Sequence, residues 1–89
     1  MVSHFHLKDV FAIKGLNIIL VGKVIKGEIN IGCNLNISGK RYPVLALEFQ
    51  KQNQKALSED QEGSVFIAED KNQADFFKKL KNQLIYFEN

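Results

Sequence analysis

The sequence predicts a mostly-β fold, a small barrel or sandwich of about six short strands with a helix near the C-terminus. Three observations carry this. Apolar residues alternate with polar ones along 28–39 and again along 44–49. Turn signals built on Gly, Asn and Ser recur at close spacing up to Gly63. After Ala68 the apolar spacing becomes helical.

Taken in order, Leu7 to Ile13 is apolar and β-branched enough for a first strand, and Lys14-Gly15-Leu16-Asn17 supplies turn residues. Ile18 to Ile25 is rich in β-branched residues. Its first half is apolar on both faces and should be covered on both sides. Gly22 sits where a bulge or a close backbone approach is expected. Lys26-Gly27-Glu28 makes the next turn.

In 28–39, Ile29, Ile31, Cys33, Leu35 and Ile37 fall on every second position. Gly32 interrupts them, and the run is long for one strand in so short a chain. Two short strands meeting at a Gly32 corner are expected, with Ile29, Ile31, Leu35 and Ile37 buried together. Ser38-Gly39-Lys40-Arg41 reads as a tight hairpin turn. Pro43 stands near the start of the next strand, where a missing donor is tolerated. In Val44 to Phe49 the alternation puts Leu45, Leu47 and Phe49 on one face.

Gln50 to Gln54 is a polar loop, Ser58 to Gly63 an acidic turn, and Val65 to Ala68 another strand. Asp70 or Asn72 can cap a helix from about Gln73 to about Asn82, with Phe76, Phe77, Leu80 and Leu84 on one stripe. Leu84-Ile85-Tyr86-Phe87 fits a prolonged helix or a last strand; a short closing strand is the expectation.

With 89 residues and 45% hydrophobic composition, the chain is one domain with one core. It divides into a barrel core over 1–69 and a C-terminal helical extension over 70–89. No apolar run reaches the roughly 20 residues that cross a bilayer, and no signal peptide is recognisable at the N-terminus. A single cysteine forms no internal disulfide, so a reduced, cytoplasmic setting is expected. Residues 1–57 carry eight Lys/Arg against three acids, a net +5, and 58–89 carry four Lys against seven acids, a net −3. A basic body with an acidic end fits an anionic partner or an ordinary mixed surface.

The order of these features is that of a known family. Val10-Phe11-Ala12-Ile13-Lys14-Gly15, then Val21-Gly22-Lys23-Val24-Ile25-Lys26-Gly27-Glu28-Ile29-Asn30-Ile31-Gly32, then Leu35-Asn36-Ile37-Ser38-Gly39, then Leu47-Glu48-Phe49 resembles the second domain of elongation factor Tu and related translational GTPases. The resemblance runs from about Phe5 to about Ala68. It implies a closed antiparallel β-barrel of six or seven strands, here free-standing, with the segment from Asp70 added or remodelled. It implies RNA or the ribosome as partner. By the same resemblance, Glu48 matches an acidic residue that helps form the pocket for the aminoacyl end of tRNA, and Lys51 falls near a basic position of that pocket. The sequence departs from the family after Gly63, where Ser64-Val65 replaces an acidic residue and an Asn and is one residue shorter. It also holds no Gly-x-x-x-x-Gly-Lys-Ser/Thr loop, so nucleotide hydrolysis and enzymatic activity are not expected.

Other constellations are weaker. Lys40, Arg41 and Tyr42 cluster at one turn and are the best local candidates for an RNA surface, a basic pair beside an aromatic platform. His4 and His6 are two apart and lack the third ligand a metal needs. Cys33 lies on the apolar face of its alternation and reads as a buried, inert thiol. Glu59, Asp60 and Glu62 read as a solvated turn, not a paired acid–base site. Neither cofactor nor metal is expected. A different class of function is a protein-interaction module or small oligomer, using the barrel edge or Phe76, Phe77, Leu80 and Tyr86 of the C-terminal segment.

Overall fold

The computed structural model describes residues 2–12, 17–68 and 74–88. Its elements are β1 (Val2–Ala12), β2 (Ile18–Lys26), β3 (Ile29–Asn30), β4 (Asn34–Ile37), β5 (Lys40–Phe49), β6 (Gln52–Gln54), β7 (Ala56–Leu57), β8 (Glu62–Ile67), α1 (Ala74–Lys78) and β9 (Leu84–Glu88). The main sheet runs β4-β9-β1-β2-β8-β5-β6, and β4 also pairs with β5. That last pairing closes an antiparallel barrel of six strands. It leaves β6 outside, on the flank of β5. Closure satisfies the edge groups an open sheet would expose.

A barrel this small needs strongly coiled strands, and two glycines permit it. Gly22 of β2 and Gly63 of β8 are direct cross-strand partners. A Cβ on Gly22 would overlap the carbonyl oxygen of His6 and lie 2.9 Å from the Phe5 ring. A Cβ on Gly63 would overlap the carbonyl oxygen of Glu48 and lie 3.0 Å from Leu57. The backbones of β1, β2, β8 and β5 therefore close together along one line. The register of β1 on β2 shifts beside Gly22, between Leu7 and Asp9, so the expected bulge and the close approach coincide.

The inward residues form one core that includes Phe5, Leu7, Leu20, Leu35, Leu47 and Phe87. β3 and β7 pair as a small separate ribbon, whose Ile29 and Leu57 are fully buried in that core. α1 drives Phe77 into it, with Phe76 and Leu80 packed against its margin. The Phe77 ring meets Tyr42 edge-on, with centroids 5.3 Å apart. After α1, turn-type hydrogen bonds carry the chain to Gln83. β9 then inserts between β4 and β1 as a stave of the barrel.

Residues 28–39 do form two strands, β3 and β4. Between them the Cys33 N–H donates to the Asn30 carbonyl (3.1 Å), and Gly32 holds φ +96°. Ile29, Cys33 and Leu35 are buried and Ile37 packs at the core margin, but Ile31 is half exposed. The turn consumes Ile31 as a corner residue, so its side chain leaves the inward row. In β5 the expected face is corrected in the same way. Val44 and Leu47 are buried while Leu45 is exposed and Phe49 only half-buried, because the β5–β8 register shifts between Val44 and Ala46. The extra residue, Leu45, reverses the phase of the alternation. β1 begins earlier than expected, at Val2, and α1 is shorter. The Lys14-Gly15 turn and the Asp70 and Asn72 capping positions lie outside the described residues.

Crowding and dihedral needs should separate in denaturant melts. Gly63→Ala forces backbone to move and should cost about 1–3 kcal/mol. Gly32→Ala meets open space and bears only its positive φ, a cost of about 1 kcal/mol. A Gly63→Ala protein as stable as the parent would contradict the close-approach account.

Candidate functional site

The β4–β5 hairpin positions the basic pair. Ser38 (φ +50°) and Gly39 (φ +77°) are both left-handed, the pattern of a two-residue turn whose twist matches its flanking strands. A Cβ on Gly39 would meet nothing within 4 Å, so glycine serves the dihedral here. The turn proper is Ser38-Gly39 alone. Lys40 and Arg41 already belong to β5, facing Ile37 and Asn36 across the hairpin.

Alternation then sorts the side chains. Leu35 and Tyr42 pair across the strands and both point into the core. Asn34, Asn36 and Arg41 face outward. Asn34 also pairs with Glu88 of β9, and the Asn36 Nδ2 donates to Glu88 Oε2 at 2.9 Å. Asn34, Asn36, Arg41 and Glu88 line a shallow polar groove. A second hollow adjoins it along the turn and the Lys40 side. The Asn36 Oδ1 has no hydrogen-bond partner among the described residues.

The candidate residues are thus divided. Lys40 and Arg41 are exposed beside the groove. Tyr42, their neighbour in sequence, is only 7% exposed. Its ring is occupied by the core and by Phe77, so it offers no stacking face at the surface. Glu48 is half-buried near the far end of β5, opposite Ser64 and Asn53. Lys51 is exposed in the next turn, where Gln50 and Lys51 are both left-handed. Seven strand steps separate Arg41 from Glu48, roughly 20 Å at the usual rise. Lys40 and Arg41 therefore form one cluster, and Glu48 with Lys51 another.

Cys33 is buried, and that burial pushes its thiol above the ordinary value of 9.0. His4 and His6 share the outer face of β1; no group of three or more metal-ligating side chains occurs among the described residues. Among the described residues two carboxylates are engaged in ion pairs. Glu62 takes a hydrogen bond from Lys8 and Asp9 one from Lys81 (3.0 Å). These bonds hold Glu62 below its ordinary 4.5 and Asp9 below its ordinary 3.8, helped by the lysines' charge and, for Asp9, by the Val10 N–H. Local spacing leaves Tyr86 undecided between helix and strand. In β9 its ring stands half exposed beside His4, centroids 4.9 Å apart. No helix among the described residues is long and apolar enough to cross a membrane.

Comparison with known proteins gives a fold and no closer relation. No family model matches the chain, and no curated protein matches it. Solved structures do. Translation elongation factor SelB from Methanococcus maripaludis, in its apo form, superposes with a TM-score of 0.78 at 16% identity, over 100% of this chain. A bacterial selenocysteine-specific elongation factor, EF-Sec, superposes at 0.75 and 17% identity over 97%. The chain spans only 19% and 14% of the lengths of those two proteins. Its fold is the translation-factor β-barrel, of the type found as the second domain of elongation factor Tu.

The ion pairs set an acid dependence. A carboxylate whose value is lowered on folding contributes stability above its unfolded value and loses it as pH falls through the folded one. Thermal stability should therefore begin to decline as pH drops below about 4.5. Lys8→Met should remove the share due to Glu62. The gap between parent and variant should be present at about pH 7, narrow as pH falls below about 4.5 and shrink in about 1 M salt. A gap unchanged across that range would contradict this assignment.

Proposed function

We propose that the chain is a non-catalytic, RNA-contacting module of the translation-factor type, acting in the cytoplasm on RNA or the ribosome. The carrying observation is the exposed Lys40–Arg41 pair at a two-residue hairpin beside a groove lined by Asn34, Asn36, Arg41 and Glu88. Arginine presents a planar fork and lysine a point charge, which suits both to phosphate oxygens. Asn34 and Asn36 carry neutral donors and acceptors that suit sugar hydroxyls or base edges. The +5 balance of residues 1–57 supports an anionic partner. The fold shared with a translation elongation factor and a selenocysteine-specific elongation factor supports the setting.

Glu48 and Lys51 would touch the partner at a second, separate place. Their distance from the hairpin makes the two contributions independent.

A second reading rests on a different observation. Phe11, Ile19 and Phe66 are cross-strand partners on the outer face of β1, β2 and β8, and Phe11 is 52% exposed. Such a strip suits another protein surface. The aromatic residues of α1 do not serve this reading, because Phe77 is buried and Phe76 packs on the core. Light scattering and pull-down of Phe11→Ser against the parent discriminate the two.

Filter binding with RNA across a salt series tests the leading reading. The parent should bind at low salt with log affinity falling linearly with log salt. The Lys40→Ala/Arg41→Ala protein should bind about tenfold more weakly, with a slope smaller by roughly 0.7 for each phosphate it no longer neutralises. Lys51→Ala should add its own decrement. No salt-dependent affinity for RNA at low salt would overturn the reading.

A further inference from the structure

A second outward surface adjoins the hairpin groove and is unused by it. In β9, Ile85 and Phe87 point inward and Leu84 and Tyr86 outward. In β1, Phe5 and Leu7 point inward and His4 and His6 outward. Register sets Tyr86 opposite His4 and Leu84 opposite His6. On the other side of β1, Lys26 of β2 lies opposite His4 and Lys23 opposite His6. Two rows result, Tyr86–His4–Lys26 and Leu84–His6–Lys23. Each starts on an exposed apolar or aromatic side chain and ends on a lysine.

The first row holds no carboxylate, and the second continues past Lys23 to Glu62 of β8. Glu62 is paired with Lys8. Glu59 Oε1 accepts the Gly27 N–H at 3.1 Å. Glu88 accepts the Asn36 amide at 2.9 Å. Lys23 therefore shares Glu62 with Lys8, while Lys26 forms no ion pair among the described residues. Tyr86 is 46% exposed, and its ring is held nearly perpendicular to His4, at 83°. An aromatic ring fixed by a neighbour loses little freedom when a ligand orders it.

We propose that this face binds single-stranded RNA, with an unpaired base stacked on Tyr86 and the adjoining phosphates passing over Lys26 and Lys23. The chemistry discriminates strand state. A π-face beside a basic row accepts splayed bases of any identity, whereas a duplex keeps its bases stacked internally. The strand continues past Glu88 to the Asn36–Arg41 groove, since β9 joins the two surfaces. This inference rests on the reading that the module contacts RNA, and adds the strand state and the stacking residue.

Tyrosine fluorescence provides the test. The chain has two Tyr and no Trp, and Tyr42 is buried, so Tyr86 reports on surface stacking. The full chain is titrated at low salt with an unstructured RNA of about ten nucleotides and with a duplex of equal length. The single strand should quench the emission and bind more tightly than the duplex. Tyr86→Ala should abolish the quenching and weaken binding by roughly five- to a hundred-fold, the span of one base–aromatic stack. Tyr86→Phe should bind like the parent, and Lys23→Ala/Lys26→Ala should bind more weakly with a smaller salt slope. A thermal melt of each variant checks folding, which the exposed positions should leave intact. The proposal is overturned if Tyr86→Ala binds as the parent does, or if the duplex binds as well as the single strand. If Lys40→Ala/Arg41→Ala then loses affinity while Tyr86→Ala does not, stacking falls and RNA binding stands. If neither RNA binds at all, both readings fall.

Discussion

The molecule depends on one close approach of backbones. At Gly22 and Gly63 the carbonyl oxygens of His6 and Glu48 occupy the space that side chains would need. The four strands β1, β2, β8 and β5 thereby coil tightly enough for the β4–β5 hairpin to bring β4 against β9. Without that curvature the sheet would have free edges at β4 and β9, and a short domain has little stability with which to tolerate exposed apolar edges. Closure also requires the C-terminal residues. β9 fills the gap between β4 and β1, and Phe77 of α1 completes the packing around Tyr42.

Closure fixes what the surface can offer. Inward positions are taken by one apolar core, so chemistry is left to outward residues of the strands and to the hairpin. The polar groove of Asn34, Asn36, Arg41 and Glu88 draws on three strands that meet only because the barrel is closed. The Tyr86–His4 pair likewise joins residues from opposite ends of the sequence. The buried thiol of Cys33 and the paired carboxylates Asp9 and Glu62 are turned to structure. The outer face of β4, β5 and β9 offers amides, Arg41 and the Tyr86 ring, groups suited to recognition.

Much of the architecture is legible in the sequence because glycine and period-2 alternation report it directly. Gly22 between β-branched residues announces a crowded strand, and Gly32 inside 28–39 announces a corner. Ile31 and Leu45 escape that reading for a shared reason. Each is the residue at which a turn or bulge changes the phase, and phase depends on the partner strand, which local spacing does not show. The candidate site is less legible. Lys40, Arg41 and Tyr42 look like one cluster along the chain, but adjacent strand residues point to opposite faces. Tyr42 accordingly serves the core while Arg41 faces outward, and Lys40 is exposed at the turn on the face of Tyr42 and Ile37. Glu48 and Lys51 share β5 and its turn with them yet sit at its other end. Tyr86 is obscured by a four-residue apolar run that fits helix and strand equally, and its pairing with His4 spans nearly the whole sequence.

Backbone amide NMR during titration with single-stranded RNA tests the central claim most directly. That claim is that barrel closure builds one RNA-binding face from β4, β9, β1, the Lys23–Lys26 end of β2 and the tip of the β4–β5 hairpin. The account predicts chemical-shift changes at Asn34, Asn36, Lys40, Arg41 and Tyr86 and at His4 across the β1–β9 pair. Ile19 and Phe66, on the outer strip of β2 and β8, should stay unchanged. Changes confined to the Phe11–Ile19–Phe66 strip, or no changes at saturating RNA, would contradict it.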